Sequence, residues 1–549
     1  MKAKRILAWL LVAVMTVALL AGCGSNSSSS APAADNSGAS APAASGAQST
    51  TATGGPSDHL TLGIAADIES FNPWLMANDS RQQVFYSNIY EPLARLTLDG
   101  QRELVIAKSL EEKGNGVYEI ELYDNVYDSA GNNITADDVI FSYQGCKDQG
   151  QLAWGIKYLD HFDKVNDYEL TMYLNQESAV ALDMVLKTCF IVSQKAYEAS
   201  PDGFAGSPVG TGPYTVTKYT PGSEVVLQAR DNYWQTDASK TAIESTLGSV
   251  KTITYKVYTD SSQLALALEM GEIDGSLNIQ AVDLGNFLND DRTAKPGYNV
   301  DARLSALVHF IAFNCSDNSP LSDIRVRQAV SYALDMPALI QNVYGSDAGV
   351  ATTNSSTYYN DYDPALNEKL PYAYDLDKAK ALLAEAGYGE GELTLRMIYT
   401  PEWNREQLAT LIQAYLMAAG INVEMESMEA ALFQTSKNDP AAFDLYPDCV
   451  MSLNTPGRLG LIDLNGYTTG VNGVFVNDPE LQARFNAANL ASSYGPETVT
   501  ALLEYLEEMD YVYPTHFMYS YFITNDRVTD IVLDRNLAMI VGASTVVDK

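Results

Sequence analysis

Candidate chemistry in this chain begins with its scarce imidazoles. Four histidines are present, His59, His161, His309 and His516, and none has the H-x-x-H or H-E-x-x-H spacing that sets two ring nitrogens on one helix face around a metal. A metallohydrolase has no local signature here. Cys146, Cys189, Cys315 and Cys449 are far apart, with no C-x-x-C pair, so zinc and iron-sulfur sites have none either. Such spacing is met most often as buried thiols; in an oxidising compartment one or two disulfides are the alternative. The chain lacks a G-x-S-x-G nucleophile elbow, a G-x-x-x-x-G-K-[ST] phosphate loop and a G-x-G-x-x-G fingerprint. Gly210-Thr211-Gly212 is followed by Pro213, which has no N–H to offer a phosphate, so the segment reads as a turn. Asp361 and Asp363 begin something like a calcium loop, without the Gly and Glu that would complete it. The acidic pairs Glu111-Glu112 and Asp290-Asp291 place neighbours on different faces and read as solvated surface. The residues therefore point to no enzyme, no cofactor and no metal.

The scaffold is large and acidic. With 549 residues it exceeds the roughly 250–300 that one core can serve, so two or more cored bodies are expected. Aromatics at 10%, including 34 tyrosines, and charged residues at 19% give enough apolar surface to fold most of the chain. A formal net charge of -35 excludes a nucleic-acid partner, whose phosphates need a basic stripe.

The N-terminus reads as an address. Lys2, Lys4 and Arg5 precede an apolar run from Ile6 to Ala21, shorter than the roughly 20 residues of a spanning helix. It ends in Leu20-Ala21-Gly22-Cys23, which resembles the lipobox where lipoprotein signal peptidase cuts and the thiol is acylated. Residues 1–22 are thus expected to be a signal peptide and Cys23 a lipidated N-terminus. Residues 23–57 form a tether: Gly24 to Ser57 holds small and polar residues with one charge, Asp35, and cannot pack. As a coil its 34 residues span roughly 30 Å.

Beyond Asp58 the pattern is α/β. Leu60, Leu62 and Ile64, Tyr118, Ile120 and Leu122, and Leu170, Met172 and Leu174 alternate as half-buried strands do. Thr135 to Asp138 reads as a capping box, Asp260 opens a helix stopped at Gly271, Asp375 opens one stopped at Gly387, and Ser322 opens one carrying Arg325 and Arg327. Leu393–Tyr399, Arg405–Ala419 and Ile421–Ser427 form a strand-helix-strand unit, expected as a parallel crossover. There is no internal repeat and no second linker, so the bodies are expected to be assembled from discontinuous segments.

Several separated segments, in order along the body, resemble the extracellular solute-binding proteins of family 5, the oligopeptide, dipeptide and nickel receptors of ABC importers. They are Asn88-Ile89-Tyr90-Glu91-Pro92-Leu93, Ile134 to Tyr143, Pro208 to Tyr214 with Asp231-Asn232-Tyr233-Trp234, Gly271-Glu272-Ile273-Asp274, Pro320 to Ala329, and Ala379 to Tyr388. The resemblance implies a type II periplasmic-binding fold, two hinged lobes plus an extra domain inserted near the N-terminus. Domain I would take residues 58–89, 206–302 and 516–549, domain II 90–205 and domain III 303–515. The implied function is capture of a solute, an oligopeptide or dipeptide first, between domains I and III, and delivery to a membrane permease powered by a separate ATPase. The chain would work as a monomer on the outer face of the cytoplasmic membrane, extracellular or periplasmic, held through its lipid anchor.

The same resemblance nominates the pocket. Extended backbone at Ala77, Asn78 and Asp79 and the late stretch from Cys449 to Asn454 would pair with the ligand main chain. Met451 falls near a Trp, and Asn454 near an Asp that in peptide receptors neutralises the ligand's amino terminus. An amide accepts a hydrogen bond yet cannot neutralise a buried ammonium. That departure keeps open a non-peptide solute, such as a glycoside, an opine-like conjugate or a nickel or other metal chelate. Trp403 is a candidate for stacking, and Arg405 or Arg458 for holding a ligand carboxylate by a bidentate pair. His516 would matter as a metal ligand only in a nickel-type receptor; otherwise it reads as a structural residue near a lobe crossover.

Overall fold

A computed structural model describes residues 57–75, 84–85, 88–96, 101–150, 152–236, 250–305, 307–355, 361–402, 404–451, 474–490, 492–530, 533 and 545–546. The expected signal peptide, Cys23, the expected tether up to residue 56 and candidates Ala77, Asn78, Asp79, Trp403, Asn454 and Arg458 lie outside the described residues, while Ser57, the last tether residue, is described and buried. Among the described residues no helix is long and apolar enough to cross a membrane.

The strands follow the alternation in the sequence. Leu60, Leu62 and Ile64 point inward from β1 (His59–Ile64), where polar neighbours cannot compete for the core. Two short strands, β2 (Ala94–Leu96) and β3 (Arg102–Leu104), form a hairpin. An antiparallel sheet of β4 (Ala107–Gly114), β5 (Val117–Leu122), β6 (Leu159–Asn166) and β7 (Glu169–Leu174) runs in the order β4-β5-β7-β6. It buries Tyr118, Ile120, Leu122, Leu170, Met172 and Leu174 on one face.

The large sheet has twelve strands. Its first part comprises β1, β8 (Tyr214–Thr220), β9 (Glu224–Ala229), β10 (Thr252–Val257), β11 (Gly275–Ser276) and β12 (Tyr298–Leu304). Its second part comprises β13 (Leu307–Phe313), β14 (Ala348–Val350), β15 (Leu393–Tyr399), β16 (Ile421–Ser427) and β17 (Leu445–Met451). A long strand, β18 (Val512–Asn525), joins them in the order β16-β15-β17-β13-β18-β11-β1-β10-β9-β8, with β12 and β14 also on β18. A last hairpin pairs β19 (Val528–Asp530) with β20 (Thr545–Val546). As the strand-helix-strand reading expects, β15 and β16 are parallel, Leu393 opposite Ile421, with helix Arg405–Ala418 between them.

β18 is the spine. Its early residues pair with β13 and β14, and its late residues with β12 and β11. Val512, Tyr513, Phe517, Tyr521 and Phe522 belong to five different hydrophobic clusters, so one strand is cemented into every core. Beside it the chain makes a second passage from β12 to β13, where the Ser305 N–H donates to the Met518 carbonyl at 2.7 Å. Two neighbouring backbone passages therefore connect the part of the fold cored by residues 60–255 with the part cored by residues 311–513.

Helix boundaries obey local chemistry. The Asp138 carboxylate accepts from the Thr135 N–H at 2.8 Å and its hydroxyl at 3.0 Å, opening helix Ala136–Gln149. Asp260 and Asp375 cap theirs as expected. The helix assigned to Ser322 starts one residue later: Ser322 ends a 3-10 turn and donates to the Ser319 carbonyl, and Asp323 caps Ile324–Tyr332.

Candidate ligand-binding site

The recurring motifs are clasps. The Glu91 carboxylate is fully buried and accepts from Tyr233 Oη at 2.5 Å and Trp234 Nε1 at 2.9 Å, joining Asn88–Leu93 to Asp231–Trp234. Burial pushes the Glu91 carboxyl above the ordinary carboxylate range, against the pull of those two donors. Pro208 to Tyr214 wraps the same region. A Cβ at Gly210 would stand 2.0 Å from the Ile89 carbonyl oxygen and one at Gly212 2.4 Å from that of Asn88, so only glycine admits this approach. Arg230 donates to the carbonyls of Thr211, Gly212, Tyr127 and Asp128, holding that turn.

Asp274 does the same for β1 and the end of β18. It accepts from the Thr61 N–H at 2.8 Å and from Arg527 Nε and Nη2 at 2.9 Å. Burial raises its pKa, yet Arg527 and the Thr61 N–H outweigh burial and hold the carboxyl below its usual value. In Pro320–Ala329 the two arginines serve two helix ends. Arg325 Nη1 reaches the Glu385 carbonyl at 2.6 Å, at the C-terminus of helix Leu376–Glu385. Arg327 donates to Met509 and Asp510 carbonyls, at the end of helix Pro496–Met509. Cations there satisfy orphan carbonyls and oppose the helix dipole. These motifs hold separate segments of the body together.

A buried polar cluster lies beside the two passages. Among the described residues the last pair of the β13–β17 ladder is Leu307 with Met451, near the Ser305–Met518 bond. Met451 is the last described residue of β17. The chain turns at Asn404 (φ 57) into the first helical residue, Arg405, which is buried. Arg405 Nη1 donates to Thr400 Oγ1 at 2.8 Å, and Nη2 to Asp448 Oδ1 at 3.0 Å and Cys449 Sγ at 3.1 Å. Lys437 Nζ meets the other oxygen of Asp448 at 3.0 Å. Arg405 is thus already paired with a carboxylate of β17. Asp448 and Lys437 went unremarked in the sequence; the signal was a Pro447-Asp448-Cys449 run inside an otherwise apolar strand.

Behind this cluster lies an imidazole pair. His309 stands opposite both Cys449 and His516 in the ladders, and the two histidine rings stack at 4.1 Å. Tyr344 covers His516 at 4.3 Å. Burial, reinforced by Arg405, pushes His309 down to about 3. Burial, then His309 and Arg405, lower His516 well below its ordinary value. Both shifts favour the neutral ring, and Thr515 Oγ1 lies 3.0 Å from His516 Nδ1. Among the described residues no cluster of three or more His, Cys, Asp or Glu side chains suits a metal. His309, His516, Arg405, Asp448 and Lys437 thus form a buried polar cluster near the start of β13, on β17 and at the middle of β18.

The likeness to known proteins now has a geometry to sit on. Bacterial extracellular solute-binding proteins, family 5 Middle, match residues 103–453. The chain is 24% identical over 405 residues to the oligopeptide-binding protein AppA of Bacillus subtilis, covering 69% of this chain and 71% of that one. It is 25% identical over 403 residues to the dipeptide-binding protein of Escherichia coli, covering 66% and 70%. The solved structure of HbpA2 from Haemophilus parasuis superimposes with a TM-score of 0.76 at 21% identity, covering 89% of this chain and 99% of that one. The fold is the type II periplasmic-binding fold, and the chain belongs to the bacterial extracellular solute-binding proteins of family 5.

Proposed function

We propose that this protein is the lipid-anchored substrate-binding component of an ABC importer, taking up peptides between two closing lobes and handing them to a permease without altering them. The observation that carries this reading is the pair of neighbouring backbone passages, one from β12 to β13 and one at 516–519 within β18, beside which β17 runs and Arg405 is held. Two side-by-side strands can bend together while the cores on either side stay packed. They support boundaries at about 303 and 516, with domain I as 58–89, 206–302 and 516–549, domain II as 90–205 and domain III as 303–515. The ligand would stabilise the closed form only by its extra affinity for that form. Relatives named for oligopeptide and dipeptide binding support the peptide class.

In this reading Ala77, Asn78 and Asp79 and the residues after Met451 pair with the ligand backbone, while Trp403, Asn454 and Arg458 contact its ends and side chains. Arg405, already paired with Asp448, positions the start of its helix and the end of β17. A second reading, a non-peptide solute, is favoured by Asn454, which cannot neutralise an ammonium. The full chain, purified in detergent without refolding, is to be weighed by native mass spectrometry and again after denaturation, then screened against di-, tri- and oligopeptides by melting shift. A spread of released peptide masses, or a shift of several degrees with a peptide recovered intact, supports the peptide reading. One discrete non-peptide mass with no peptide response overturns it in favour of the second, and a cleaved peptide overturns the non-catalytic part. The anchor is tested separately: the mature chain should begin at an acylated Cys23, and Cys23→Ala should release it from membranes.

A further inference from the structure

We infer that Cys146 and Cys189 form a disulfide site, closed by exchange with an external disulfide while the surrounding core is still being packed. This rests on the location outside the cytoplasm proposed above, an oxidising setting in which such bonds form and persist. The two Sγ atoms lie 2.8 Å apart on residues separated by 43 positions, and neither side chain is exposed. Even carbon atoms in non-bonded contact settle about 3.5–4.0 Å apart, and sulfur is larger. A distance of 2.8 Å is therefore no resting place for two separate thiols.

Both sulfurs are held by framework on either side. Cys146 is in the last turn of helix Ala136–Gln149, and Cys189 follows directly on helix Ala179–Thr188. Tyr143 Oη donates to the Val185 carbonyl at 2.7 Å, tying the same two helices one turn earlier. Phe190, next to Cys189, bridges to Pro92, and its carbonyl accepts from Trp74 Nε1 at 3.3 Å. The other two described cysteines are engaged elsewhere: Arg405 donates to Cys449, and Cys315 donates to the Phe313 carbonyl.

The exchange balances. One cysteine thiolate attacks a sulfur of an acceptor disulfide, such as glutathione disulfide or a thiol-disulfide oxidoreductase, and expels the first acceptor thiolate. The second cysteine thiolate then attacks the mixed disulfide and expels the other acceptor thiolate. The protein loses two electrons and two protons, and the acceptor leaves as two thiols. Burial pushes the Cys189 thiol far above its ordinary value, and thiolate is the reacting form. The step therefore belongs to folding, and the finished bond is shielded from reductants.

The full chain is to be denatured, alkylated with iodoacetamide, digested with trypsin and analysed with and without reduction. Two samples are compared, one purified from cells that export it and one unfolded, reduced and refolded in glutathione redox buffer. Cys146 falls in tryptic fragment 114–147 and Cys189 in 188–195. The expected result is a linked pair of these fragments in both samples, lighter by about 2 Da than the sum of its free halves, and absent from Cys146→Ala and Cys189→Ala chains. Alkylation at both positions in both samples, or linkage of either cysteine to Cys315 or Cys449, overturns the site. Linkage in the refolded sample but not in the exported one keeps the site and overturns the proposed location.

Discussion

Acidification should loosen the fold through His309, and the sign follows from where its proton binds. In the folded chain burial and Arg405 hold this imidazole down at about 3, whereas the unfolded chain titrates it near 6.5. Between those values the unfolded state binds a proton that the folded state refuses, so stability is complete above pH 6.5 and is lost as the pH falls. From pH 7.5 to pH 5.0 the deficit grows to 1.5 pH units below the unfolded value, which at 1.36 kcal/mol per unit is about 2 kcal/mol. His516, also held neutral by burial, acts in the same direction. Other groups titrate over this range, so the diagnostic quantity is a difference between chains. Urea unfolding of the wild-type and His309→Gln proteins, at pH 7.5 and pH 5.0, gives four stabilities. The wild type should lose about 2 kcal/mol more on acidification than His309→Gln. Equal losses would refute the argument that a buried, neutral His309 is a pH-dependent support for the strands at the lobe passages.

The opposite slope belongs to Asp510, fully buried, whose carboxyl burial pushes up to about 7 although Ser331 donates to it. The folded state here keeps a proton that the unfolded state has lost, so rising pH costs stability; Asp510→Asn should gain about 2.5 kcal/mol on the wild type between pH 5.0 and 7.5, read from the same urea titrations. Asp448 balances Arg405 and Lys437 in a buried setting, so Asp448→Ala should cost about 3–5 kcal/mol. Replacing all three by Met, Leu and Met should recover most of that loss in thermal unfolding. Glu91→Ala removes the acceptor shared by Tyr233 and Trp234 and should cost about 2–4 kcal/mol. Glu91→Gln should cost less than half as much, and a loss under ~1 kcal/mol for Glu91→Ala in urea unfolding counts against the clasp.

What could be read in the sequence was local. Leu60, Leu62 and Ile64 mark β1 because a strand's side chains alternate over two residues, and Asp260 and Asp375 mark helix starts because a cap and its N–H are three residues apart. The ordered motifs placed the chain in its family, and family membership carried the fold class. None of that said what the motifs do. Glu91 meets Tyr233 across 142 positions, Arg327 meets Met509 across 182, and Asp274 meets Arg527 across 253. Such pairings have no sequence period and exist only once the strands are ordered. Arg405 shows the difference best. As a cation in a loop before a helix it could serve a ligand carboxylate, but folding sets β17 beside its helix start and gives it Asp448, 43 residues away. Residue type set the charge that had to be neutralised; tertiary structure decided which carboxylate neutralises it, because the cost of a buried, unbalanced charge is met only where the chain brings the partner within about 3 Å.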